Sequence, residues 1–222
     1  MAVILVVAPH PDDEVLGCGG VIARHVDRGD VVYAVIVSKG DVDFFAPEFV
    51  EQARAEAAAA ARLLGTRKLF FLDFPAPLLD QVPTAKMAAA IREVIQQVRA
   101  DIVYLPHQGD IHEDHKAVYR ATLVASRPNS FFYPQRLLSY EVPSETEWGA
   151  PLSTSIFAPT LFVNTTEYLN KKLAAMSCYK SQLPPDPEAR SLFSINALAQ
   201  VRGATIGVRA AEAFMIVREV IH

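Results

Sequence analysis

Apolar positions fall along this chain in short runs separated by stretches with helical spacing. Residues 3–9 (VILVVAP), 31–37 (VVYAVIV), 68–74 (KLFFLDF) and 102–106 (IVYLP) are apolar throughout or nearly so. Strands buried on both faces read this way, because neither face needs polar side chains. Helices are predicted between them. One runs through 20–29, closed by Gly29. The clearest covers 47–65: alanine-rich, acidic early, with Arg62 near its end and Gly65 as C-cap. Others are expected over 84–99 and 114–126. Later strands are expected at 136–142 and 160–164, then a helix through 166–182 and a loop over 183–191.

Strands of this type alternating with helices imply right-handed crossovers. The expected fold class is α/β, a Rossmann-like, mostly parallel sheet with helices on both faces. No internal repeat or low-complexity linker interrupts the pattern, so residues 1–222 are read as one domain.

Composition narrows the function classes. The chain has 222 residues, 51% of them hydrophobic, enough for a substantial core. The net charge of −4 is spread along the sequence without a basic stripe, which argues against a nucleic-acid partner. Cys18 and Cys178 lie far apart and outside any CxxC, so each is read as a small buried hydrophobe in a reducing compartment. The N-terminus lacks a basic leader and a small-residue cleavage site. No apolar stretch reaches the roughly 20 residues of a membrane span. These features point to the cytoplasm.

In an open parallel sheet, ligands bind beyond the carboxyl ends of the strands. His10-Pro11-Asp12-Asp13-Glu14 follows the first strand, and PHQGDIHEDH, with His107, Asp110, His112, Glu113, Asp114 and His115, follows the fourth. Taken singly, each cluster has an ordinary explanation. Pro11 can occupy the first position of a helix, with the acids against its positive dipole end. The second run can be a solvated helix start. Together, at the tips of two strands expected to be neighbours, they form a candidate metal site. His10, Asp13 and His115 supply two imidazoles and one carboxylate, with room for water. Zn²⁺ suits this set, as do Fe²⁺ and other divalent metals. Asp12 is left beside the metal as general base. His112 is placed to stabilise an oxyanion, with Asp114 orienting it. Glu14 is read as support, His107 and Asp110 as second-layer or loop-forming, and His25 and His222 as surface residues.

Other chemistries fit less well. Gly17, Gly19 and Gly20 give G-x-G-G, with Ile22 where a dinucleotide site needs its third glycine. The carboxylates before them would repel a pyrophosphate. No G-x-S-x-G marks a nucleophilic serine. A phosphoesterase would usually need a second metal, and a silent metal-binding module would not need the free carboxylate of Asp12.

APHPDDE after the first strand and H-x-D-H (His112 to His115) after the fourth resemble the PIG-L/LmbE-like family of metal-dependent N-deacetylases. The helix ending in LLG and the segment RGATIGVRAAEAF are similar too. The resemblance implies removal of acetyl from an N-acetylglucosamine-type sugar or glycoconjugate. It also implies His10, Asp13 and His115 as zinc ligands, Asp12 as base, and His112 held by Asp114 as oxyanion stabiliser or general acid. Arg54 is the position that matches an arginine gripping sugar hydroxyls. Several bacterial members are hexamers, which implies a homo-oligomer. Substrate contacts are also expected from Lys39, Asp41 and Arg202, and stacking from Phe44, Phe45, Phe49 and Trp148.

Overall fold

The computed structural model describes residues 1–41, 43–129, 132–152 and 155–221. Strands β1 (Val3–Ala8), β2 (Val31–Gly40), β3 (Lys68–Ala76), β4 (Ile102–Leu105), β5 (Arg136–Tyr140), β6 (Leu161–Asn164) and β7 (Ala211–Glu219) form one seven-stranded sheet. Its order is β3-β2-β1-β4-β5-β7-β6. The first five strands are parallel, and β7 runs antiparallel between β5 and β6. Among the described residues six helices accompany them: α1 (Asp13–Asp27), α2 (Pro47–Leu64), α3 (Thr84–Val98), α4 (Glu113–Ala125), α5 (Leu169–Met176) and α6 (Leu192–Thr205). The expected α/β class holds, and no described helix is long and apolar enough to cross a membrane.

The uninterrupted apolar runs follow from the two layers they serve. Ile4 and Val6 of β1, with Val32 and Ala34 of β2, face a core built with α1, α2, α5 and α6. Leu5, Val7, Val35 and Val37 face the opposite core, built with α3 and α4. Each such fully buried aliphatic side chain contributes about 1.5–3 kcal/mol over an exposed one.

α1 opens on the acids after Pro11, ahead of the clear helical stretch at 20–29, and Pro11 itself lies outside it. The left-handed backbone of Asp12 (φ 110°) intervenes, and the helix proper opens on Asp13 and Glu14. The glycines inside α1 cost helix propensity, about 1 kcal/mol each, and are there for space. A Cβ on Gly17 would fall 2.2 Å from the Tyr140 ring, and one on Gly19 2.9 Å from Lys172. α1 is also gripped from outside. Lys172 Nζ donates to Leu16 O and to Glu212 Oε1, both at 2.7 Å. Glu212 in turn accepts from the N–H groups of Gly20 (2.9 Å) and Val21 (2.7 Å).

Other departures are local. The helix predicted over 166–182 is a 3₁₀ turn at Thr166–Tyr168 followed by the shorter α5. α6 and β7 are additional to the predicted elements. Cys18 is buried and free, whereas Cys178 is only half-buried. His25 is half-buried, not a free surface residue: its ring lies 2.7 Å from Asp30 Oδ2 and 3.2 Å from the Tyr104 hydroxyl. His222 falls outside the described residues.

Candidate metal centre

β1 and β4 are hydrogen-bonded neighbours, so the loops leaving their carboxyl ends meet. His10 lies in the loop after β1, Asp13 opens α1, and His115 lies in the first turn of α4. The ligand atoms of these three side chains all fall within 4.8 Å of one another.

The outer contacts fix which atoms converge. His115 Nδ1 is 2.8 Å from Asp110 Oδ2, and His10 Nε2 is 2.9 Å from Asp114 Oδ2. A carboxylate only accepts, so each places a proton on the outer nitrogen of its imidazole. The inner nitrogens, His10 Nδ1 and His115 Nε2, then turn their lone pairs towards Asp13 Oδ2, at 3.4 and 3.3 Å. Histidine ligands backed by carboxylates in this way are the usual construction of a transition-metal site. The Asp114 carboxylate, expected to orient His112, contacts His10 in the structure. Its second oxygen is occupied by the Leu79 N–H at 2.9 Å, and only its backbone N–H reaches His112, donating to Nδ1 at 3.2 Å. His10, His112 and Asp114 form a second close group. Its carboxylate oxygens and the His112 Nδ1 lone pair are already used, so the first group suits a cation better.

Charge supports the same choice. Asp12, Asp13, Glu14, Asp110 and Asp114 are all 3% exposed or less. Arg190 is the one described arginine or lysine whose ion pair reaches them, at 3.4 Å from Asp12. Such an excess of buried carboxylate is costly without a counter-cation. Protons on the imidazoles offset part of it. Burial lowers the His115 pKa, but Asp13 and Asp110 outweigh that and lift it to about 10. His10 is raised in the same way: burial opposes, and hydrogen bonds to Asp114 and Asp13 prevail. Asp13 is held well below the usual carboxylate range, the neighbouring imidazoles overcoming its burial. The residues present thus fit a divalent cation, with two nitrogens and one oxygen as donors.

Asp12 stands apart from that group. Its carboxyl is pushed well above the ordinary range, first by burial and then by the charge of Asp13, against the pull of Arg190. Together with His10, His112 and Arg190 it lines a cavity of about 240 Å³ at the strand ends. The left-handed turn at Asp12 lets adjacent carboxylates serve different places, a strain typical of functional sites. Because His112 Nδ1 accepts from the Asp114 N–H, its ring proton sits on Nε2, leaving that nitrogen a donor. Burial and the neighbouring imidazoles lower its pKa, favouring the neutral ring. Glu14, read as support, is held by the Tyr179 hydroxyl and accepts the Asp12 N–H. His107 is loop-forming, with Nε2 2.8 Å from Ser155 O.

The expected substrate contacts divide. Arg54, Lys39, Phe45 and Phe49 line the cavity, the two rings stacked with centroids 5.7 Å apart. Arg54 is paired with Asp73 and lies 4.0 Å over the Phe71 ring. Asp41 and Arg202 do not line it. Asp41 caps its own loop, accepting the Asp43 N–H, and Arg202 makes a two-point pair with Glu141 at 2.8 and 2.6 Å. Phe44 and Trp148 are exposed and also outside it. Sequence reasoning missed Arg190, which sits 178 positions from Asp12 and carries no motif. A larger hollow of about 680 Å³ lies at the far end of α4, but its described lining holds no carboxylate or imidazole.

Two imidazoles and a carboxylate thus converge at the strand ends of an α/β sheet, a group that could hold a metal ion. Comparison with known proteins makes it specific. Residues 5–126 match the PIG-L family, described as GlcNAc-PI de-N-acetylase. The chain is 34% identical over 184 residues to the uncharacterized deacetylase YaiS of Escherichia coli (strain K12), covering 80% of this chain and 90% of that protein. It is 30% identical over 197 residues to diacetylchitobiose deacetylase of Thermococcus kodakarensis, covering 82% and 71%. Among solved structures, the conserved protein TT1542 of Thermus thermophilus superposes with a TM-score of 0.78 at 29% identity, over 100% of this chain and 97% of that one. The chain belongs to the PIG-L family.

Proposed function

We propose that this protein is a metal-dependent deacetylase that removes acetyl from the nitrogen of an amino sugar of the N-acetylglucosamine type, free or within a glycoconjugate. The observation that carries the reading is the convergence of His10 Nδ1, His115 Nε2 and Asp13 Oδ2 beside a separate buried carboxylate, Asp12, that faces the cavity. The family description and the relatives named as deacetylases support it.

His10, Asp13 and His115 would hold the cation, Zn²⁺ in the first instance and Fe²⁺ as the alternative. When bound, such a cation supplies Lewis acidity, acidifying water and polarising a carbonyl. Asp12, with its raised pKa, takes the proton of the attacking water. The Nε2–H of His112 donates to the acetamide oxygen as it gains negative charge. Asp12 then gives its proton to the departing amine. Arg54 holds sugar hydroxyls at the rim, and Phe45 and Phe49 offer an apolar wall to the ring or its aglycone.

Acetate release across free, nucleotide-linked, lipid-linked and oligomeric N-acetylhexosamines tests this reading. At least one substrate should turn over, lose turnover after chelation, and regain it with one equivalent of Zn²⁺ or Fe²⁺. Release that persists in the chelated protein, or two metals per chain with phosphatase activity, overturns it. The implied homo-oligomer is checked by light scattering on the same preparation.

A further inference from the structure

The turn after β5 touches both halves of the site through separate arms. Thr146 accepts the Val142 N–H at 2.8 Å, so its own hydroxyl proton is directed to Asp110 Oδ1, 2.6 Å away. Asp110 spends its other oxygen on His115 Nδ1. One residue earlier, Glu145 Oε1 accepts from Arg190 Nη2 at 2.6 Å, and Ser144 Oγ accepts from Arg190 Nε at 2.7 Å. With those donors used, Nη1 reaches Asp12 Oδ2 at 3.4 Å. The turn is itself fixed: the Ile111 N–H donates to Glu145 O at 3.0 Å, and Ser144 is held in a left-handed conformation, φ 74°. A non-glycine residue keeps that conformation only where its surroundings enforce it.

We propose that residues 142–147 act as a two-armed bracket. Thr146 is a positioning residue for the ligand His115 through Asp110, and Glu145 is a positioning residue for Asp12 through Arg190. The proposal rests on the deacetylase reading for the role of Asp12. The His115 arm needs only that the cluster binds a cation. Because the arms leave from adjacent residues and end on different groups, they separate experimentally. Removing the Thr146 hydroxyl leaves Asp110 one bond short and frees it to rotate away from His115. Neutralising Glu145 loosens the guanidinium and leaves the His115 side intact.

Three variants, Thr146→Val, Thr146→Ser and Glu145→Gln, are compared with wild type as chelated full-length chains. Zn²⁺ affinity is measured by competition with a chromophoric chelator. Thr146→Val should bind Zn²⁺ about 10- to 100-fold more weakly, the range for loss of a residue behind a ligand, and Thr146→Ser should return to within about threefold of wild type. Glu145→Gln should keep wild-type Zn²⁺ affinity, while Arg190 becomes several-fold more reactive to phenylglyoxal, read by mass spectrometry. Its kcat should fall by about tenfold or more, with a smaller change in KM, as for loss of an interaction felt mainly in the transition state. Wild-type Zn²⁺ affinity in Thr146→Val, or a serine variant as weak as the valine one, overturns the first arm. Unchanged Arg190 reactivity in Glu145→Gln overturns the second. If wild-type protein releases no acetate from any substrate, the proposed activity falls, while the Zn²⁺ and labelling measurements still decide the bracket.

Discussion

Replacing Asp12 with Asn exchanges one oxygen for an amide nitrogen, and the local structure isolates that change from the fold. The position has φ 110°, a conformation that Asn tolerates as readily as Asp. An amide oxygen still accepts from Arg190, and the neighbouring Asp13 loses a like charge close by, so stability should not fall. What disappears is the buried proton acceptor facing the cavity. General-base catalysis by a positioned carboxylate contributes about 10²- to 10⁴-fold, or roughly 2.7–5.4 kcal/mol in the barrier. Asp12→Asn should therefore lose that much kcat in an acetate-release assay. Its metal content, by elemental analysis, and its urea midpoint should stay at wild-type values. His115→Ala, by contrast, should lose both metal and turnover. An Asp12→Asn protein that carries full metal and keeps more than about a tenth of wild-type turnover refutes the base assignment, since no general-base contribution that small is expected here.

Three further outcomes follow from contacts elsewhere. Lys172→Met leaves Glu212 buried with only backbone donors; breaking a buried pair costs about 3–5 kcal/mol, read as a lower urea midpoint, and adding Glu212→Gln should recover part of it. Gly17→Ala drives a methyl into the Tyr140 ring, whose hydroxyl is tied to Val7 O at 2.8 Å. Overpacking of this kind costs about 1–3 kcal/mol or more, and thermal melting should show the loss. Arg202→Ala should leave KM for the sugar within about twofold, because the side chain is committed to Glu141 outside the cavity. Its stability loss should be about 1 kcal/mol, as for a partly exposed pair.

The parts legible in the sequence are those whose cause is local. β1, β2 and β4 announce themselves because strands covered on both faces carry long apolar runs. β3 does so by its aromatic and aliphatic run, although it lies at the sheet edge with Lys68 and Asp73 exposed. The proposed ligands come in two tight clusters that one rule of sheet topology brings together. The early turns of α1 carry Gly17, Gly19 and Gly20, poor helix formers at positions where Tyr140, Lys172 and Thr165 of distant elements leave no room for a Cβ. β7, written AEAFMIVRE, is rich in good helix formers and becomes a strand only by pairing with β5 and β6. The exchange of partners at Asp114 is likewise invisible in H-x-D-H. Spacing puts its carboxylate near both histidines, and only the path of the β1 loop delivers His10 to it.

The reversed strand β7 also sets an order of events. All the proposed ligands lie within residues 10–115, and the chain emerges from the N-terminus. Yet α1, which carries Asp13 and Glu14, is held by Lys172 and by Glu212, both far later in the chain. β6 has no partner until β7 arrives to join it to β5. During synthesis the chemistry-bearing loops are therefore made long before the scaffold that aims them. A nascent chain stopped after residue 126 would hold every proposed metal ligand but neither Lys172 nor Glu212, so the full hold on α1 forms only once residue 212 has been made.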